Sequence, residues 1–151
     1  MSDSSSANPT GPANAGAVRI GRDLAQVGPA VDELLGWLRN QGAPAGAALD
    51  EIALVVTEAL TNAIRHGGGG AEEFTTRLAW TWQADDLTLE VSEPGLFEPS
   101  AAWEKLPEDP FSEGGRGGFL ITRLMDAVEH RNTDGRHALR MRRRLERRPG
   151  L

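Results

Sequence analysis

The stretch EIALVVTEALTNAIRHGGGG, residues 51–70, decides the fold. Its apolar positions Ile52, Val55, Val56, Ala59, Leu60, Ala63 and Ile64 recur at three and four residues, the spacing of one buried helical face. Asp50 and Glu51 complement the positive end of a helix that starts near Leu49, and Gly67, Gly68, Gly69 and Gly70 stop it. Glu58, Asn62 and His66 stand at i, i+4 and i+8. Each step turns about 400°, so the three drift only about 80° around one side, beside the apolar stripe rather than opposite it. Asparagine is a neutral oxygen donor that suits magnesium held partly by substrate phosphates. A carboxylate one turn earlier can orient or deprotonate an attacking hydroxyl or water. The plain alternative is the solvated stripe of an amphipathic helix.

Upstream of this helix, Leu24, Val27, Val31, Leu34, Leu35 and Leu38 predict a first helix that ends before Gly42 and Pro44. Residues 1–17, MSDSSSANPTGPANAGA, have almost nothing to bury and read as a disordered tail. Downstream, Phe74, Thr76, Leu78, Trp80 and Trp82 alternate, as do Leu87, Leu89 and Val91, with Asp85 and Asp86 at the turn of an antiparallel pair. Residues 93–115 read as a long loop rich in proline, glycine and acids, a length usually reserved for function. FLITRLMDAV, 119–128, has helical spacing, Asn132 to Gly135 is a turn, and His137 to Leu145 reads as a closing strand. The order helix, helix, hairpin, loop, helix, strand predicts an α+β two-layer sandwich, helices on one face of a mostly antiparallel sheet.

A chain of 151 residues supports one well-buried core, expected over 18–146, with residues 147–151 as a short tail. The net charge of -6 disfavours attachment to nucleic acid or an anionic membrane. Against it stands a local positive run, Arg140, Arg142, Arg143, Arg144, Arg147 and Arg148, a stripe that could meet an acidic partner and whose plain reading is a solvated edge strand and frayed tail. With no cysteine there is no disulfide, thiolate nucleophile or thiolate metal site, and His66, His130 and His137 lack a short zinc-ligand spacing. The chain has neither a long apolar span nor a signal-peptide pattern at its start, so a cytoplasmic location is expected.

A second signal is Gly114, Gly115, Arg116, Gly117 and Gly118, directly before a predicted helix. Glycines let backbone amides wrap phosphate oxygens, the helix start adds unpaired N–H groups, and Arg116 can add a forked contact. The cluster is not a P-loop, because no GxxxxGK followed by Ser or Thr occurs. A dinucleotide fingerprint is also excluded, because no parallel strand is predicted before it.

EIALVVTEALTNAIRHG at 51–67, LTLEVSEPGLFEP at 87–99 and GGRGGFLITRLMD at 114–126 together resemble the anti-sigma-factor serine kinases of the RsbW and SpoIIAB type, in the GHKL ATPase superfamily. The resemblance covers about residues 20–145 and implies the GHKL, or Bergerat, type of sandwich. It implies Glu58 as catalytic base, Asn62 as ligand of Mg2+, and His66 near the phosphates of ATP. It also implies that Gly115, Gly117 and Gly118 cradle phosphate beside Arg116, and it matches Asp126 to a conserved acid, read here as structural. The departure lies in the first glycine box, where the family has a pattern close to D-x-G-x-G-F and this chain reads Glu93, Pro94, Gly95, Leu96, Phe97. The base-binding acid is then Glu93, one methylene longer, or its place is taken by the hydroxyl of Ser92. The implied partners are a STAS-domain anti-sigma-factor antagonist as substrate and a sigma factor, with a possible homodimer. A noncatalytic binding module on the same fold is the alternative.

Overall fold

The computed structural model describes residues 14–66, 76–94 and 116–149, apart from the side chains of His66, Arg116 and Thr133. Strand β1 (Ala15–Ile20) leads through a short 3-10 turn, Leu24–Gln26, into helix α1 (Val27–Asn40). Helix α2 (Ala47–His66), strands β2 (Thr76–Gln83) and β3 (Asp86–Pro94), helix α3 (Arg116–Leu124), and strands β4 (Ala127–Thr133) and β5 (Arg136–Arg144) follow. Every pairing is antiparallel, and the sheet runs β1-β2-β3-β5-β4. The expected α+β sandwich is what forms: the inward residues of the strands pack with α1, α2 and α3 in one core. Among the described residues no helix is long and apolar enough to cross a membrane.

Local chemistry explains the element ends. Helix α1 closes with Gly42 at φ 106°, Gly42 N donating to Arg39 O and Ala43 N to Leu38 O, the paired bonds of a Schellman cap that glycine adopts without strain. Asp134 and Gly135, both at positive φ, make the two-residue turn between β4 and β5, matching the Asp-Gly preference of such hairpins. At β1, a Cβ on Gly16 would come within 2.5 Å of the Trp80 indole, so only glycine lets this strand lie over that ring.

Several boundaries differ from the sequence reading. Ala15, Gly16 and Ala17 belong to β1, inside the stretch read as a tail, because their backbone groups pair with Thr81, Trp80 and Ala79 although their side chains bury little. The third helix begins at Arg116 and stops at Leu124, and residues 127–133 form a strand instead. The arginine-rich β5 lies inside the sheet between β3 and β4 rather than at its edge. Arg147 and Arg148 are docked: the Arg147 guanidinium lies 3.8 Å over the Trp82 ring and donates to Ala84 O, and Arg148 N donates to Gly42 O. Trp82, fully buried, donates its indole N–H to Leu145 O at 2.9 Å. The glycine run after α2 and the long loop from residue 95 to 115 lie outside the described residues.

Candidate functional site

Helices α2 and α3 meet where the polar triplet begins. A Cβ on Gly117, in the first turn of α3, would stand 2.7 Å from Glu58 Oε1 and 3.0 Å from the Asn62 amide nitrogen. The α3 backbone therefore rests directly against both polar side chains, and a residue larger than glycine would meet them. Gly117 and Gly118 are buried there. The first amides of a helix have no partner within it, so this end carries donors and partial positive charge beside a carboxylate and an amide.

One arginine holds the two helices in this relation. Arg143 of β5 pairs with Glu51 of α2 at 2.7 Å and donates to Leu124 O, the last residue of α3, at 3.2 Å. Just beyond α3, Asp126 accepts from the backbone amide of Arg144 at 2.7 Å, while its own amide donates to Arg142 O. Its carboxylate thus fastens the end of α3 to β5.

At the other end of the inward sheet face the core turns polar. Glu93 and His137 stand opposite each other on β3 and β5, both buried, with His137 Nδ1 3.2 Å from Glu93 Oε1. His130 of β4 stacks on His137, their centroids 5.2 Å apart, and its Nδ1 lies 2.9 Å from His137 Nε2. With the carboxylate as acceptor, His137 donates from Nδ1 and its Nε2 receives the Nδ1 proton of His130. Burial first, and then the neighbouring His137, lower the His130 pKa from 6.5 to about 4. Two buried oxygens here find no hydrogen-bond partner among the described residues: Glu93 Oε2 and Thr76 Oγ1. Each unsatisfied buried group costs about 1–3 kcal/mol, and the indole nitrogen of Trp80 on β2 is a third such atom among the described residues.

The residues singled out from sequence fall into three groups. Glu58, Asn62 and Gly117 come together between α2 and α3, and Gly118 is buried next to Gly117 in the same helix. His66 and Arg116 sit at the end of α2 and the start of α3, and Gly95 and Gly115 lie outside the described residues. Of the two candidates in the altered glycine box, Glu93 points to the helix side. Ser92 points to the opposite sheet face, where it lines a shallow concavity with Arg19, Arg77 and Arg136. Sequence reasoning passed over Thr76, His130 and His137 as site residues. The available signal was parity: Thr76 and His137 are polar residues at inward positions whose next inward neighbours, Leu78 and Trp80 or Leu139 and Met141, are apolar.

These residues fit a phosphorylated nucleotide on two counts. The glycine start of α3 lets backbone amides approach the α2 polar pair, and Glu93, the acid expected to meet the base, has a buried oxygen without a partner among the described residues. Among the described residues no three His, Cys, Asp or Glu side chains converge for a metal. Asn62, a neutral oxygen donor, fits the role expected of it, holding magnesium carried largely by substrate oxygens.

No curated protein matches the chain. Among solved structures, the RsbU and RsbW domains of Rv1364c from Mycobacterium tuberculosis superpose with a TM-score of 0.58 at 14% identity, over 88% of this chain and 33% of that one. The histidine kinase domain of the Erythrobacter litoralis EL346 blue-light activated histidine kinase gives 0.52 at 17% identity, over 81% of this chain and 59% of that one. A further structure, of the EL346 blue-light activated histidine kinase itself, gives 0.52 at 16% identity, over 85% and 42%. The chain thus spans from a third to under two thirds of these chains, and at such identities the likeness is one of fold. The profile of the histidine kinase-like ATPase domain matches residues 20–143, and with the α2–α3 geometry and the antiparallel sandwich behind it, the chain belongs to the histidine kinase-like ATPase domain family.

Proposed function

We propose that the chain is an ATP-dependent protein serine kinase that acts as an anti-sigma factor in a partner-switching pathway. Its substrate is a serine of a STAS-type antagonist, and a sigma factor is its second partner. Membership in the ATPase family supports ATP as the ligand. The observation that carries the reading is the contact of Glu58 and Asn62 with the glycine start of α3. In this arrangement Glu58 accepts the proton of the serine hydroxyl as its oxygen bonds to the γ-phosphorus. The bond from that phosphorus to the β–γ bridging oxygen breaks, and ADP leaves. The α3 amides and Arg116 balance the charge that develops on the transferring group, and Asn62 is the residue that holds magnesium. When bound, magnesium supplies charge neutralisation across the phosphates. Phosphorylation adds nearly two negative charges to the antagonist at the interface, which weakens its hold and frees the kinase for the sigma factor.

The test is calorimetric titration with ATP and magnesium, then transfer of labelled phosphate to a STAS-domain protein. Glu58→Gln is expected to lower turnover by roughly 10²- to 10⁴-fold while leaving ATP binding nearly intact. Unchanged turnover removes Glu58 from the role of base. A second reading, a noncatalytic partner-binding module, is favoured by one observation: the acid of the altered glycine box is already engaged by His137. ATP binding without any transfer selects that reading.

A further inference from the structure

The sheet face turned away from the helices has one corner rich in positive charge. Pairing sets Arg19 opposite Arg77, Arg77 opposite Ser92 and Ser92 opposite Ala138, so these residues form one transverse row over β1, β2, β3 and β5. Arg136 stands two residues before Ala138, on the same side of β5. Arg19, Arg77, Ser92 and Arg136 line one open concavity. Opposed side chains on neighbouring antiparallel strands stand about 5 Å apart, and like charges there destabilise the pair. Other arginines of this face have acids beside them: Arg140 is set opposite Glu90 and Glu129, and Arg144 pairs with Asp85 and Glu146. Among the described residues no carboxylate pairs with Arg19 or Arg77.

We propose that this corner is a binding site for a phosphate dianion, either the free ion or the phosphate of a monoester. Guanidinium groups present planar forks of N–H donors that match phosphate oxygens, and they stay charged at any physiological pH. Ser92, in the middle of the row, adds a hydroxyl that donates to a phosphate oxygen or accepts from a protonated one. A dianion between Arg19 and Arg77 replaces their repulsion with charge-assisted hydrogen bonds on both sides, which gives the opposed pair a use. The chain as a whole stands at -6, so the attraction is confined to this corner rather than general. Ser92 and the arginines face away from the sheet side on which α2 and α3 pack, so the site is separate from the α2–α3 site and does not depend on the ATP reading.

The intact protein, isotopically labelled, is titrated with sodium phosphate up to about 50 mM against sodium chloride of equal ionic strength, and the backbone amides are followed by nuclear magnetic resonance. Saturable shifts are expected at Arg19, Arg77, Ser92 and Arg136. Arg19→Gln and Arg77→Gln are each expected to weaken binding roughly tenfold or more. Ser92→Asp, which places a carboxylate in the hollow, is expected to abolish it. In phosphate-free buffer of low ionic strength Arg19→Gln is expected to keep or raise the melting temperature, because it removes one of two opposed like charges. O-phosphoserine titrated in parallel separates the sources: tighter binding than inorganic phosphate assigns the site to monoesters, weaker binding assigns it to the free ion, and either upholds the inference. Shifts confined to Gly117 and Gly118 put phosphate at the start of α3 and overturn the inference while leaving the ATP reading standing. Shifts no larger than those from chloride also overturn it, as does unchanged affinity in both arginine variants. Binding lost only together with a lowered melting temperature in all three variants reports damage to the fold, and the inference falls.

Discussion

Gly117 is the residue on which the α2–α3 arrangement turns. The atoms its Cβ would strike are the ends of flexible side chains, Glu58 Oε1 and the Asn62 amide, so both can rotate aside. Gly117→Ala is therefore expected to change unfolding free energy by less than about 1 kcal/mol, since alanine favours the helix. If Glu58 is the base of the proposed phosphotransfer, the displaced carboxylate is expected to lower its rate by roughly tenfold to a hundredfold, because about 1 Å of misplacement costs on that order. Chemical unfolding and single-turnover kinetics on the same preparation separate the two effects. Glu58 and Asn62 were legible in sequence because a fixed helical period sets which side chains share a side. Thr76 and His137 were not, because their meaning depends on which strands lie side by side. Strand order is a long-range property that alternation within one strand does not encode.

Among the elements, α3 is the one whose ends sequence periodicity misjudged. FLITRLMDAV keeps apolar residues at helical spacing through Val128, yet the chain leaves the helix after Leu124 and Val128 pairs with Met141. Strand pairing and the Asp126 clamp to β5 win over local spacing there. Strands β1 and β4 escaped detection for a shared reason: both are edge strands, with few buried apolar residues to mark an alternation. The long buried helix α2 and the central β2–β3 hairpin, by contrast, were read almost to their ends. Arg143 joins α2, α3 and β5, and its side chain is 17% exposed. Arg143→Ala is expected to destabilise the protein by about 1–2 kcal/mol through the lost charged hydrogen bond, with the partly exposed Glu51 pair adding little. A urea midpoint unchanged from that of the original protein rules out the clamp.

For the molecule as a whole, the sandwich followed from counting amphipathic elements, whereas the sheet order did not. Its acid response follows from the polar end of the core. His130 titrates near pH 4 when folded and near 6.5 when unfolded, so between these values the unfolded chain binds the extra proton. Stability is therefore expected to be full above about pH 6.5 and to fall as the pH drops toward 4. His130→Gln should flatten that part of the curve, as read from urea unfolding at pH 7 and pH 4.5. An identical pH profile in the variant means that His130 does not report on folding.

The strand that comes last in the chain order, β5, is also the one inserted between β3 and β4. During biosynthesis the emerging polypeptide holds β3 with one bare ladder until residues 136–144 have left the ribosome, and β4 has no neighbour at all. Final closure waits on this insertion. The nascent chain is exposed to mispairing through those open edges from the completion of β3 until β5 has emerged.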